Sequence, residues 1–508
     1  MAFEINNIVV AKKSMLEKSE FSVECNISGG AMVSKVLASA IEPSIVSCET
    51  LSGTVNYSGE LDIKVIVLDE EGQFNSTSST CPFSSKFEGE NIENGQNAHI
   101  ELKVIDYNIV SISGDNIKIN VMLEQSGFVY GNKDEQTIRC DDEDICFKTD
   151  KFNATRFVGA FKASFNVTSE ISSREKVSKI LLVESKALVR NVEAGVNFVT
   201  VYGDVISKVL YISENDRFES GYVVDSFKEE VEVEGASRDS SVQAFASVKE
   251  DGVLTEIVED DKGVKINITV PVNLKVCVYD CQELEIINDI YSTTSDLSVT
   301  TSSFDMASLC KMDVVEGKIE GSSMIEDDKP RVDKILFNAG NNVVITNSYI
   351  ENDEITIEGI AKTNVVYLND EDSSINSVQL DVPFVISDKF EGQTEGIVSV
   401  SAIVCDVDVV VKKGRELFYD ARVKANVIYC TSQTCGVISG AEKLDSLQER
   451  DYAMEVIFAK AGDELWDIAK KAKVHDYQLQ SQNPDVAFPL QEDQSLIIFY
   501  QKMIENVE

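Results

Sequence analysis

A set of residues recurs three times along the chain at nearly constant spacing, and this repeat constrains the fold more than any other feature. A glycine follows an opening lysine by 24 or 25 residues, an apolar run ends nine residues later, and a phenylalanine follows after 15 or 16 more. The positions are Lys35, Gly59, Leu68 and Phe83, then Lys179, Gly203, Ile212 and Phe227, then Lys334, Gly359, Leu368 and Phe384. Because the copies start roughly 145 to 155 residues apart, far beyond solenoid periods, the repeat predicts separate globular units in tandem.

Each copy also has a second half made of alternating apolar and polar residues, as in residues 116–123, 264–270 and 421–428. Period-two patterning rich in Val, Ile and Thr is typical of half-buried strands. Short strands at close intervals favour a sandwich or an open barrel. Phe21 and Phe165 each precede the opening lysine by 14 residues, which predicts a further strand before each of these blocks.

The last fifty residues have a different pattern. Gly462 is suited to a tight turn with positive φ, and we expect Asp463 to cap the N-terminus of the helix that follows. The apolar stripe of that helix is formed by Leu465, Ile468, Ala469 and Ala472. Trp466, the only tryptophan, is rotated off this stripe and is expected to flank the core. A second short helix ends at Asn483-Pro484, and residues 496–500 form a closing strand.

This strand, helix, helix, strand order over residues 454–502 resembles a LysM domain. The matching residues are the block Gly462-Asp463-Glu464-Leu465-Trp466-Asp467-Ile468-Ala469, then Asn483-Pro484, Leu496 and Ile498. Family members hold N-acetylglucosamine polymers in a groove. Here Glu464 replaces the usual threonine and Glu492-Asp493 replaces the usual Pro-Gly, so both departures add charge beside that groove.

The tandem β modules over roughly residues 20–440 resemble the SPOCS/DUF3794 family of spore-forming Firmicutes, through the Gly, apolar strand and Phe elements above. We therefore expect a mainly β chain with three tandem β-sandwich-like modules followed by a small α+β (βααβ) LysM domain. The expected boundaries are 14–155, 156–304 and 305–439 for the modules, 440–453 for a linker and 454–502 for LysM. The resemblance implies a mother-cell cytoplasmic scaffold at the forespore surface that binds stage IV sporulation protein A, the coat ATPase, and other coat proteins.

Composition excludes several classes of function. The net charge of −41 argues against nucleic acid and anionic membranes, which repel such a chain. It serves solubility or favours a partner with a basic surface. The start of the chain lacks a signal-peptide pattern, and no apolar run reaches the ~18 residues needed to span a bilayer. Eleven scattered cysteines fit a reducing compartment. Since they match no zinc spacing, and His99 and His475 are the only histidines, no metal site or cofactor is expected.

No nucleophile constellation, P-loop or metalloprotease motif occurs, so we predict no catalytic residues and no enzyme. Two hypotheses of different class stay open. The first is an interaction scaffold whose LysM domain binds another protein. The second is a peptidoglycan-binding protein in which LysM binds the glycan.

A set of candidate partner-binding residues follows from the alternation of side chains across a strand. If Ile457, Ala459, Leu496 and Ile498 face the helices, the other face carries apolar side chains and is open. The candidates are Val456, Phe458, Ile497 and Phe499 on that face, together with Trp466 off the core stripe and Asp463, Ile468 and Asn483 of the same module. The alternative is that the linker folds as a helix and covers this face through Leu444 and Leu447.

Overall fold

Strands make up almost all the regular structure, as the sequence predicts. A computed structural model describes residues 3–260, 263–390, 397–448 and 452–500 of the chain. Within these ranges no helix is both long and apolar enough to cross a lipid bilayer. The strands group into three β modules and a C-terminal module, and every strand pairing is antiparallel.

The first module is a sandwich of two three-stranded sheets. Its strands are β1 (Glu4–Ser28), β2 (Val33–Leu51), β3 (Thr54–Asp69), β4 (Phe74–Glu88), β5 (Asn97–Ser113) and β6 (Asn116–Arg139). One sheet has the order β1-β6-β5 and the other β2-β3-β4. Apolar side chains from both sheets, such as Ile63 and Val121, meet in the module's own core.

The second module repeats this plan with one strand divided in two. Its strands are β7 (Ile145–Ser173), β8 (Val177–Ala194), β9 (Phe198–Ser213), β10 (Phe218–Glu232), β11 (Ser241–Val248), β12 (Leu254–Asp260) and β13 (Gly263–Ser292). A 3-10 turn, Glu250–Gly252, separates β11 from β12. Strand β13 pairs with β7 on one side and with β11 and β12 on the other, while β8, β9 and β10 form the facing sheet.

The third module has the same two-sheet plan. Its strands are β14 (Ser295–Met324), β15 (Val332–Glu351), β16 (Glu354–Asn369), β17 (Ile375–Lys389), β18 (Ile397–Lys412) and β19 (Glu416–Ser446). The sheets are β14-β19-β18 and β15-β16-β17. The C-terminal module then follows with β20 (Met454–Ala459), α1 (Leu465–Ala472), α2 (Asp476–Gln482) and β21 (Gln494–Phe499).

The repeated glycine and phenylalanine form a cross-strand pair in every module. Gly59 lies directly opposite Phe83, and the same register joins the later glycines to their phenylalanines. A Cβ atom on Gly59 would lie 2.4 Å from Phe83 Cζ and 2.5 Å from the carbonyl oxygen of Ser44. The ring therefore covers a strand position that has no room for a side chain, which explains why the two residues recur together.

The modules do not stand apart. They contact one another in a closed cycle, through residues five positions after each repeated glycine. Lys64 Nζ donates to the carbonyl oxygen of Val183 at 2.9 Å, and Lys208 Nζ donates to that of Asn338 at 3.0 Å. Asn364 Nδ2 closes the cycle by donating to the carbonyl oxygen of Ser39 at 3.4 Å. The third module thus returns to the first.

Two shared cores hold this cycle together. The first shared core takes side chains from the β2-β3, β8-β9 and β15-β16 pairs, including Leu37, Ile66, Leu182, Leu210, Phe337 and Val366. The second shared core lies among the long ribbons β1-β6, β7-β13 and β14-β19, and includes Ala11, Tyr130, Phe157, Tyr279, Ala307 and Cys430. The three modules form one body with cores common to all of them.

Two sequence expectations need correction here. The modules are not independent units, because apolar side chains on the outer faces of their strands are buried against the neighbouring modules. The expected boundaries at 155/156, 304/305 and 439/440 fall inside β7, β14 and β19. Strands β7, β14 and β19 are 29, 30 and 31 residues long, far beyond the ~3–10 residues typical of strands in globular proteins. Because each strand continues across an expected boundary, the modules do not divide at those positions.

Candidate protein-binding site

The C-terminal module buries one face of its two-stranded sheet against its helices. Strand β20 pairs with β21 in the register Val456 to Ile497 and Ile457 to Leu496. Leu496 and Ile498 are fully buried with Ile468, Ala469 and Leu479 of the helices. Alternation of side chains across the strands thus gives the inward face that the sequence predicts.

The opposite face of this sheet is apolar and open to solvent. We call it the outer face, and it consists of Val456, Phe458, Ile497 and Phe499, which are 43, 81, 40 and 51% exposed. The alternative of a linker helix that includes Leu444 is not met, because β19 continues as a strand to Ser446 and leaves Leu444 exposed. Residues 449–451 of the linker lie outside the described residues. Within the part of the chain that the structure describes, no linker helix covers the outer face.

The turn before α1 forms as expected in one respect and differs in another. Gly462 has a φ of 93°, the left-handed region that glycine tolerates. Helix α1, however, begins at Leu465 with Glu464 at its N-cap, and no side chain caps it. The Asp463 carboxylate accepts instead from the backbone N–H of Lys460 at 2.9 Å. Asp463 therefore closes the turn rather than capping the helix.

Two other candidate contacts serve the module's own structure. Ile468 is 4% exposed and lies inside the module's core, so a partner cannot reach it unless the module opens. The Asn483 amide donates to the carbonyl oxygen of Ile497 at 2.9 Å and accepts from its N–H at 3.0 Å. It thereby satisfies the backbone along the free side of β21.

Trp466 flanks the core as expected, but its indole is held within the chain. Its N–H donates to Asp289 Oδ2 at 2.8 Å, and its ring meets Tyr291 edge-on with centroids 4.9 Å apart. Lys470 Nζ lies 2.6 Å from Asp289 Oδ1. Burial acts to raise the pKa of Asp289, but the bonds from Lys470 and Trp466 outweigh it and leave that pKa below its usual range. The role of Trp466 as a partner contact stays a prediction.

Further contacts complete this docking of the C-terminal module onto strands β7 and β13 of the second module. Tyr291 donates through its hydroxyl to the carbonyl oxygen of Val474 at 2.7 Å. Cys146 Sγ lies 3.1 Å from His475 Nδ1, and burial raises the pKa of that thiol. Lys148 pairs with Glu464 at 3.2 Å. No sequence motif marks these residues, because a docking contact depends on which surfaces the fold brings together.

The described residues offer little for a metal-based chemistry. Within them, no group of three or more His, Cys, Asp or Glu side chains could hold a metal ion. The feature of the C-terminal module that has no role inside the described structure is the outer face.

Comparison with known proteins bears on the first module. The family model described as SipL, SPOCS domain matches residues 32–112, which contain β2 to β4 and β5 up to its penultimate residue. No curated protein and no solved structure matched the chain. The matched segment carries the first copy of the repeated Lys, Gly and Phe positions, and the later modules place theirs on equivalent strands. The first module therefore contains a segment similar to the SPOCS domain of the SipL family.

Proposed function

We propose that this chain is a non-enzymatic scaffold of the mother-cell cytoplasm that binds stage IV sporulation protein A through its C-terminal module. In this role it promotes localisation of the coat and encasement of the forespore. The SPOCS match supports the sporulation context. The observation that carries the binding role is the outer face, because four large apolar side chains lie exposed on one small sheet.

The energetics favour a protein partner for this face. Exposed apolar patches on soluble proteins mark interaction surfaces more often than isolated apolar residues do. Aromatic side chains at the centre of a patch commonly cost ~2 kcal/mol or more of binding energy on truncation. Phe458, with 81% of its surface exposed, gains the most from being covered.

The three-module body supports a scaffold role in a second way. Its two shared cores and closed cycle of contacts make it a single platform on which the C-terminal module docks through Trp466 and Lys470. The net charge of −41 favours a partner that presents basic residues. Other coat proteins are candidates for binding the body.

Phe458→Glu tests the proposal through the affinity of the full chain for purified stage IV sporulation protein A. We expect the affinity to fall by about tenfold or more, because the variant places a charge in the middle of an apolar contact. Tyr477→Glu is the matched control, since Tyr477 is an exposed aromatic of the same module, on α2 and off the outer face. Equal binding by both variants and the wild type would exclude the outer face as the interface.

The alternative of peptidoglycan binding rests on the βααβ order of the C-terminal module, which is that of the predicted LysM domain. Its test is retention of the full chain on purified sacculi. Retention that is lost when residues 452–508 are removed would favour the glycan, and no retention would favour the protein partner.

A further inference from the structure

The two edges of the C-terminal sheet differ in how their backbone is satisfied. Along the free edge of β21, the Asn483 amide bonds both backbone groups of Ile497. The Gln482 amide does the same for Phe499, accepting from its N–H at 2.8 Å and donating to its carbonyl at 3.0 Å. Two side-chain amides therefore replace a neighbouring strand, and this edge is closed.

The edge of β20 is open. In an antiparallel pair, directly opposed residues point their N–H and C=O groups either toward each other or away from each other. Ile497 and Phe499 direct theirs away from β20, toward the side-chain amides. Their register partners Val456 and Met454 must therefore direct theirs away from β21, and Phe458 follows by the two-residue period. The described residues provide no hydrogen-bond partner for these outward groups.

The open edge and the outer face coincide at the same residues. Met454, Val456 and Phe458 carry the outward backbone groups, and their side chains are 50, 43 and 81% exposed. A strand that pairs with this edge would place alternate side chains beside them on the outer face. It would gain main-chain hydrogen bonds and apolar burial from one contact.

The charge of the neighbouring side chain indicates which residues an added strand would carry between its apolar positions. The intervening residues of an added strand lie on the helix side of the sheet, next to Glu455, which accepts from the Tyr500 hydroxyl at 2.5 Å. A basic residue there would meet a carboxylate in a chain of net charge −41.

We propose that the partner donates an extended segment, apolar at alternate positions with a basic residue between them, which adds as a third strand to the open edge of β20. This proposal rests on the proposed function and deepens it, because it states how the partner binds at the outer face. The segment is a strand and not a helix, since a helix cannot satisfy the row of outward backbone groups.

Amide hydrogen exchange of the full-length chain, with and without the partner proposed above, gives the direct test. The amides of Val456 and Phe458 should become protected in the complex by at least about tenfold, as expected when open edge groups acquire partners. The amide of Ile457 points toward β21 and should change little. The Tyr477→Glu variant should show the same protection as the wild type.

A pair of substitutions separates the backbone from the side chain. Val456→Pro removes the outward N–H without removing a bond of the β20-β21 ladder, and Val456→Ala removes similar side-chain volume while retaining the N–H. We expect the proline variant to bind the partner about tenfold more weakly than the alanine variant. Tryptophan fluorescence of Trp466 shows whether each variant keeps its docked C-terminal module.

The possible results distinguish this inference from the proposed function. If Phe458→Glu abolishes binding while the Val456 amide stays unprotected and the two Val456 variants bind alike, the face binds the partner without strand addition. If Phe458→Glu binds as the wild type does, the proposed interface itself is wrong. If deletion of residues 501–508 deprotects Val456 in the absence of partner, the chain's own C-terminal segment occupies the edge and the proposal falls.

Discussion

Strand β3 in the body and strand β20 in the C-terminal module both carry apolar side chains on their two faces. In β3, Val65 and Val67 enter the core of the first module, while Ile66 points the other way into the first shared core. In β20, Ala459 is buried against the helices, while Phe458 is exposed. The pattern is alike, but only β3 has a neighbour within the described chain for its second face.

This difference separates two uses of the same sequence pattern. A strand with two apolar faces needs a cover on each, because exposed apolar area is unfavourable at ~25 cal/mol per Å². The body supplies the second cover from its own repeated modules. The C-terminal module has no second cover among the described residues, and this contrast is the reason for the binding role that we propose for the outer face.

The comparison of β3 with β20 predicts the largest difference in stability when a charge is placed on the second apolar face of each strand. Ile66→Glu should destabilise the body by more than about 4 kcal/mol, because it buries an unpaired carboxylate in the first shared core. Phe458→Glu should change the free energy of unfolding by less than about 0.5 kcal/mol, as exposed substitutions usually do. Urea denaturation of both full-length variants measures the difference. Similar losses of stability would show that the outer face is covered within the chain.

A smaller effect is expected at the repeated glycine. Gly59→Ala should cost about 1–3 kcal/mol, because its Cβ would lie 2.5 Å from the Ser44 carbonyl oxygen and 2.4 Å from Phe83 Cζ. Gly436→Ala is the control, since no atom lies within 4 Å of the Cβ that it would add. Thermal unfolding of the two variants gives the comparison. An unchanged midpoint for Gly59→Ala would contradict the Gly–Phe packing that we describe for all three modules.

The smallest effect concerns the docking of the C-terminal module onto the body. Asp289→Asn should weaken docking by on the order of 1 kcal/mol, because it removes the charge that Lys470 and the Trp466 indole share. As the sole tryptophan, Trp466 reports this directly through greater quenching of its fluorescence by acrylamide. The control is Asp280→Asn, which lies on β13 like Asp289 but breaks a pair with Arg156 of the neighbouring strand β7. It should leave the fluorescence unchanged.

The pH dependence of docking follows from the same carboxylate. Because the pKa of Asp289 is lowered in the docked state, its contribution is present above the ordinary carboxyl pKa of ~3.9 and is lost as the pH falls through the lowered pKa. Trp466 fluorescence should therefore be constant from about pH 8 to pH 5 in the wild type. A change within that range would show that a group other than Asp289 controls docking.

The sequence predicts the strands better than the assembly of the modules. Repeat spacing and alternation locate β3, β9 and β16, because those signals lie within single strands. The closed cycle was missed, although the unbroken apolar run Val65–Leu68 indicates burial on both faces of β3 and thus a second core. No feature of the sequence indicates the docking through Asp289. One aspartate among 87 acidic residues does not reveal which lysine it will pair with.

In the C-terminal module the predictions that rest on alternation hold, whereas the capping role predicted for Asp463 does not. The inward and outward faces follow from the two-residue period of a strand. The capping role of Asp463 failed because its carboxylate has a nearer donor, the backbone N–H of Lys460. The roles of Val456, Phe458, Ile497 and Phe499 as partner contacts stay predictions that the variants above can test.

The contacts of Asn364 that join the third module to the first have a consequence for how the chain is made. Tyr107 donates to Asn364 Oδ1 across 257 residues of sequence. At a synthesis rate of ~5–20 residues per second, the first module waits roughly 13–50 s before its partner in the third module is made. During that time the first module's part of each shared core lacks its neighbour from the third module, so the nascent chain exposes apolar surface that is covered only late in synthesis.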